Sequence, residues 1–310
     1  MSRAIILELA VGSDLSAPEA ADVVAAARDA GVSAIRLLDG GAGQVLDPNT
    51  VASYLAARLA DVHWIVDAPT THNAPYNLAR RTLALDRATG GRSGLVLRAG
   101  EGDEVSAATV PDPSASGRSQ RWAEYAEVLT RLWESFPAAA LLGDQAAGLL
   151  AEDSLIRGIA HEGSFYRVSG PLDGPSSPQG RPVLAAADMD QLDWASVAGA
   201  ADVVVVNRAQ APAAQGALAD ALGRTGRKRA EIALVGRVAV TAAEASADNV
   251  AAELDEWVTS MGLDGLELRP PDGRAGALTV AHNVLPRLQS SAGASLRAAL
   301  GLPELTGART

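Results

Sequence analysis

The chain has 310 residues, 48% of them hydrophobic, which is enough to bury a large core and to build one α/β barrel of ~250 residues. Its net charge of −11 argues against a general nucleic-acid binder, which needs a basic surface. With no cysteine, disulfides, thiolate metal sites and cysteine nucleophiles are excluded, and the four histidines (His63, His72, His161, His282) lack the H-x-x-x-H spacing of a zinc site.

The start, Met1-Ser2-Arg3, has no signal-peptide pattern, and no apolar run reaches ~20 residues. A cytoplasmic protein without membrane contact is the default expectation. Residues 4–9 (A-I-I-L-E-L) read as a first strand, apolar throughout as in a parallel sheet. A helix over 18–30 stops at Gly31, and a second strand covers 34–38, left by Asp39-Gly40-Gly41-Ala42-Gly43. A helix over 49–59, a third strand over 62–66 and a polar loop over 70–74 follow.

The next helix has a legible start and stop. Asn73 is the expected N-cap, Pro75 sits near the first helical position, and Gly90-Gly91 ends the helix. A fourth strand spans 93–97, and Asp86 is the expected partner of Arg80 and Arg81 on the helix surface. Residues 100–120 are polar and rich in Ser, Pro and Gly. An amphipathic helix occupies 121–136, with Tyr125, Val128, Leu129 and Leu132 at helical spacing. Short strands at 156–159 and 164–168 around His161-Glu162-Gly163 predict a hairpin, and 171–182 is a loop.

Alternation then resumes, with strands at 183–187, 203–206, 231–240 and 265–268 and helices at 192–200, 211–222 and 247–260. Four strands before the excursion and four after it fit a (β/α)8 TIM barrel with an inserted β-hairpin between strands 4 and 5. On pattern alone a doubly wound open sheet remains the alternative. One domain is expected over 1–310, with the insertion at about 137–182 and a C-terminal tail at about 284–310.

Barrel sites lie at the C-terminal ends of the strands. That selects Glu8, Asp39, Asp67 through His72, Arg98 through Glu101, Asp188, Asn207-Arg208, Arg237 and Arg269. Single polar residues there also cap helices and solvate the rim, so the cluster is more informative than any member. His161 reads as a turn residue of the hairpin.

Three collinear motifs carry a resemblance. The first is N-x-P-Y-N-L-A-R-R from Asn73 to Arg81, followed by L-D-R-x-x-G-G-R-x-G from Leu85 to Gly94. The second runs from His161 to Leu172 (H-E-G-S-F-Y-R-V-S-G-P-L) and continues as S-P-Q-G-R-P-V from Ser177 to Val183. The third is V-L-P-R-L-Q from Val284 to Gln289, with S-L-R-A-A-L-G-L from Ser295 to Leu302. Together they resemble the luciferase-like flavin monooxygenases, in the branch of nitrilotriacetate, dibenzothiophene-sulfone and pristinamycin monooxygenases.

The resemblance implies a (β/α)8 barrel that uses FMN, reduced by a separate flavin reductase, and O2 to oxidise a small organic substrate. Deazaflavin F420 is the alternative cofactor. A homodimer, or a heterodimer with a related subunit, is implied as well. Asp39 matches an aspartate near the family's flavin and substrate pocket, and His72 stands where relatives carry Tyr or His; both are expected to position substrate or manage protons. The family's flavin contacts fall on Asp67 (a threonine in relatives), Val96 (an asparagine), Ser119 (a tyrosine) and Asp188-Met189 (a Gln-Ala-Gly-Ser phosphate loop). Those departures support a second expectation, a non-catalytic paralogue or partner subunit that has lost flavin binding.

Overall fold

The computed structural model describes residues 2–12, 14–40, 46–100, 112 and 116–305. The chain opens with β1 (Ala4–Leu9), α1 (Ala17–Asp29), β2 (Ala34–Leu37), α2 (Pro48–Ala56), β3 (Trp64–Pro69), α3 (Pro75–Ala88) and β4 (Ser93–Arg98). After α4 (Arg118–Glu134), two small hairpins follow, β5 (Leu141–Asp144) with β6 (Leu149–Ala151), and β7 (His161–Glu162) with β8 (Arg167–Val168). Then come β9 (Val183–Ala186), α5 (Trp194–Ala200), β10 (Val203–Asn207), α6 (Ala211–Thr225), β11 (Ala233–Ala239), α7 (Ala242–Ala245), α8 (Val250–Ser260), β12 (Gly265–Arg269), α9 (Gly273–Asn283) and α10 (Leu296–Ala299).

Eight strands close into a barrel in the order β1-β12-β11-β10-β9-β4-β3-β2. Every pairing around it is parallel, for example Ile6 opposite Ala34 and Val235 opposite Gly265. Closure settles the choice between barrel and open sheet in favour of the barrel. Among the described residues no helix is long and apolar enough to cross a membrane.

Strand alternation sorts the apolar residues into two cores. Ile6, Ala34, Ile65, Val96, Ala185, Val205 and Val235 pack together in the lumen. Their neighbours in sequence, such as Leu7, Ile35, Leu95, Leu97, Val204 and Leu234, face the helices. Leu296, Leu300 and Leu302 of the tail join the lumen cluster. Gly94 permits this approach, since a Cβ there would lie 2.8 Å from Leu296 Cδ2 and 2.7 Å from the Val183 carbonyl oxygen.

The helices begin where local chemistry satisfies their free N–H groups. Ser16 and Glu19 form a reciprocal capping box on α1, and Asp47 accepts from the Thr50 N–H at the start of α2. The expected Asn73 cap on α3 is not formed. Ala74 occupies the cap position without a side-chain bond, and Asn73 instead donates to the Thr71 carbonyl and accepts from Arg81 at 2.8 Å.

Asp86 is likewise not the partner of Arg80 or Arg81. Arg80 reaches Asp173, whereas Asp86 is fully buried and accepts from the Ser93 N–H and the Gln179 amide, both at 2.8 Å, and from the Ser177 hydroxyl. The Gln179 carbonyl in turn accepts from the Arg297 N–H at 3.1 Å. One buried carboxylate thus ties together residues from all three sequence motifs.

The insertion holds two hairpins where one was expected. In the second, the strands are His161–Glu162 and Arg167–Val168, so His161 sits in a strand rather than in the turn. Glu124 of α4 clamps this hairpin. Its carboxylate accepts from the Phe165 N–H at 3.1 Å and the Tyr166 N–H at 2.8 Å, and lies 3.1 Å from His161 Nε2. His161 is structural.

Candidate active site at the barrel mouth

Two residues further toward the C-terminal strand ends, the same inward face carries charge on six of the eight strands. Glu8 follows Ile6, Arg36 follows Ala34, Asp67 follows Ile65, Arg98 follows Val96, Arg237 follows Val235 and Glu267 follows Gly265. Period-two alternation puts these side chains in one layer above the apolar lumen.

Arg36 is its hub. Nε donates to Asp67 Oδ1 at 2.7 Å and Nη2 to Oδ2 at 3.0 Å, while Nη1 reaches Glu267 Oε1 at 2.9 Å. Arg237 Nε bonds Glu267 at 2.5 Å and stands 3.3 Å from Glu8. Arg269 Nε closes on Glu8 from the rim at 3.1 Å. The side chains of Arg36, Asp67, Glu267 and Glu8 are at most 2% exposed.

Burial alone would raise Glu267, but Arg36 and Arg237 outweigh it and hold its carboxyl down to about 2. Glu8 is pushed up to about 7, first by burial and then by the negative charge of Glu267, against the pull of Arg36 and Arg237. Burial also raises Asp67, in spite of its Arg36 fork. Glu8 Oε2 and Arg237 Nη2 are buried without a hydrogen-bond partner among the described residues. Beside Glu8 opens a cleft of about 700 Å³, lined among others by Leu9, Leu15, Leu38, Pro270 and Arg269.

The strand ends opposite are joined by a second pair. Arg98 Nε donates to Asp188 Oδ2 at 2.9 Å and its Nη1 to the Asp39 carbonyl at 3.1 Å, linking the ends of β2, β4 and β9. Asp188 holds a left-handed backbone conformation, φ 60°, which costs a non-glycine residue energy. His72 is left-handed too, φ 59°. It is exposed and lines a separate groove of about 540 Å³ with Pro75, Tyr76, Phe165 and Tyr166, a groove that Asp39 does not line. The groove thus does not bring the two expected catalytic residues together. Glu101 and Gly41-Ala42-Gly43 lie outside the described residues.

The five expected flavin positions do not fit a flavin as they stand. Asp67 was expected at the end of the third strand; the strand runs on to Pro69, and the Asp67 carboxylate is buried inside it on Arg36. Val96 packs in the apolar lumen, and Met189 is buried in the outer core. Ser119 donates to Asp193, the cap of α5, and accepts from the Asp193 N–H at 3.0 Å. Asp188 offers a carboxylate where a phosphate needs donors, and its partner Arg98 is already engaged.

Sequence reasoning selected Glu8, Asp67, Arg237 and Arg269 but missed Arg36 and Glu267, which hold the layer together. A signal was present. Each stands two residues past a small residue, Ala34 or Gly265, inside a strand that is otherwise apolar up to its C-terminal end. A charge in such a place has to find a partner across the barrel.

Comparison with known proteins agrees with this architecture. Residues 6–308 match the model of the luciferase-like monooxygenase family. Nitrilotriacetate monooxygenase component A of Aminobacter aminovorans is 32% identical over 163 residues, 52% of this chain but 36% of that protein's length. One subunit of the pristinamycin IIA synthase of Streptomyces pristinaespiralis is 30% identical over 189 residues, 60% of this chain and 61% of that one. Both matches thus cover less than two thirds of the relative's own length. The crystal structure of a long-chain alkane monooxygenase superposes with a TM-score of 0.83 at 18% identity, covering 100% of this chain and 97% of that one. The chain belongs to the luciferase-like monooxygenase family.

Proposed function

We propose that the protein is a flavin-dependent oxidoreductase of the luciferase-like type, a monooxygenase acting on a small organic molecule in the cleft at the barrel mouth. The observation that carries the reading is the family match from residue 6 to residue 308, which takes in the C-terminal end of every barrel strand. In this reading reduced FMN is a passing co-substrate delivered by a separate reductase; F420 in its place would make the chain a hydride-transfer oxidoreductase and not a monooxygenase. The chain pairs with itself or with a related subunit. The residues at the expected contacts, Asp67 and Asp188 above all, do not fit a resident flavin. What the chain itself offers is a buried carboxyl, Glu8, beside a cleft of mixed apolar and charged lining, and arginines that neutralise charge around it.

One observation favours a second reading. Asp188 and Arg98 satisfy each other where the flavin phosphate of relatives is expected. A chain that keeps the barrel and leaves flavin to a partner subunit would look like this, and the pristinamycin relative is itself named as a subunit. Titration with oxidised FMN, reduced FMN and F420, followed by absorbance and fluorescence, separates the two. Micromolar binding and turnover with an added reductase support the enzyme. No binding of any of the three overturns it for the isolated chain and leaves the partner-subunit reading.

A further inference from the structure

The hairpin of β5 and β6 stands apart from the barrel core. All four residues of β5 are exposed, and so are Leu149 and Leu150 of β6. Leu141, Leu142, Leu149, Leu150 and Leu155 are 43–73% exposed, and only Leu46 joins them among the described large apolar side chains that face solvent. The exposed apolar surface of the chain is therefore gathered on one small element. Cross-strand pairing puts Leu141 on the face of Ala151, and alternation turns Leu142 and Leu150 to the other face. Neither face is buried against its own barrel. A two-stranded hairpin by itself is marginally stable in water. An edge strand of leucines, with no lysine or proline to blunt it, is a template for a further strand.

We propose that β6 pairs with β6 of a second copy of this chain, antiparallel about a twofold axis at Leu150, so that two hairpins become one four-stranded sheet. The register supports this occupant. With Leu150 opposite its own copy, Leu149 stands opposite Ala151 and Gly148 opposite Glu152. One face then carries an unbroken leucine row, Leu142 and Leu150 followed by the same two residues of the second copy. The hairpin is acidic, with Asp144, Glu152 and Asp153 and no Lys or Arg between 141 and 155, yet in this register no carboxylate comes opposite another. The backbone agrees. Glu152 donates its N–H to the Ala140 carbonyl at 2.8 Å, so alternation points the Leu150 groups toward β5 and leaves those of Ala151 on the free edge. β5 is the poorer edge, because Gly143 is left-handed, φ 58°, and the register shifts between Leu141 and Asp144. The five leucines expose on the order of 400 Å² in one copy, a patch of the size that marks an interaction site. Two copies make about twice that available, and the paired backbone brings it within reach of the roughly 1,000 Å² of a specific interface.

This rests on the pairing of the chain with itself given above and names its surface. No flavin enters the test, so its failure and the failure of the enzyme reading are distinguishable. Light scattering of the full chain at micromolar concentration should give twice 31.7 kDa. Leu150→Glu, at a position 73% exposed, should keep the fold by circular dichroism and give a monomer. The chain has no cysteine, so Leu150→Cys carries a single thiol. Across a non-hydrogen-bonded antiparallel pair the Cα atoms lie about 4.5 Å apart, within disulfide range. Mild oxidation should therefore cross-link Leu150→Cys at least about tenfold faster than Glu256→Cys, at an exposed site on α8. A monomeric unaltered chain, a dimer that survives Leu150→Glu, or equal cross-linking of the two cysteine variants would each overturn the proposal.

Discussion

Arg36 and Asp67 form a two-bond fork inside the barrel, Nε to Oδ1 at 2.7 Å and Nη2 to Oδ2 at 3.0 Å, with both side chains at most 2% exposed. Such a pair is not in itself strongly stabilising, because two charges have left water. It is costly to break, and that asymmetry sets the first prediction. Arg36→Met leaves Asp67 and Glu267 without their main counter-charge and should destabilise the fold by about 3–5 kcal/mol. Asp67→Asn, which leaves Arg36 its Glu267 partner, should cost less. Urea unfolding followed by tryptophan fluorescence measures both, and equal costs would show that Arg36 is not the hub.

Stability should fall as pH rises from about 4.5 to about 7. Glu8 is raised to about 7 and Asp86 to about 6, in each case chiefly by burial. A carboxyl raised in the folded state contributes stability that is present below its unfolded value and lost as pH climbs through its folded value. Each contributes on the order of 1–3 kcal/mol. Glu267, held at about 2, works in the opposite sense, but its loss comes only as pH falls toward that value. Glu8→Gln should flatten the upper part of the profile. An unfolding free energy that rises steadily from acid to neutral pH would contradict this balance.

Asp188→Ser should tighten flavin binding. Two unit charges about 4 Å apart repel by ~4 kcal/mol at an effective dielectric of ~20. Arg98 already screens Asp188, so the expected gain is smaller, about 10- to 100-fold in Kd for FMN. The substitution removes the carboxylate and frees Arg98 for a phosphate. Arg98→Gln added to it should reverse the gain. Unchanged affinity in Asp188→Ser would place the phosphate elsewhere.

Glu124→Ala should loosen the hairpin of β7 and β8 without touching the barrel. The change removes the acceptor for the Phe165 and Tyr166 N–H groups together with the His161 contact. Leaving part-buried donors unsatisfied costs about 1–3 kcal/mol each. The expected signature is faster amide exchange or proteolysis within 161–168, with the barrel amides unchanged. Uniform loss of protection across the chain would mean that the hairpin is part of the global folding unit.

The order of strands and helices, and with it a barrel or an open sheet, was readable in the chain, because apolar periodicity and capping residues act over a few positions. Ser16 with Glu19 and Asp47 with Pro48 each start a helix from local chemistry alone. The motifs were readable as well, but their role in the fold was not. Asp86, Ser177, Gln179 and Arg297 meet only when helix α3, the loop before β9 and the tail are brought together. Several members of the charged layer were readable at the strand ends, but their pairing belongs to the tertiary structure. Arg36 and Asp67 are 31 residues apart, Arg36 and Glu267 are 231 apart, and no local rule pairs them. Barrel closure places them in one layer, and the low polarity of the lumen then requires each charge to be answered by another.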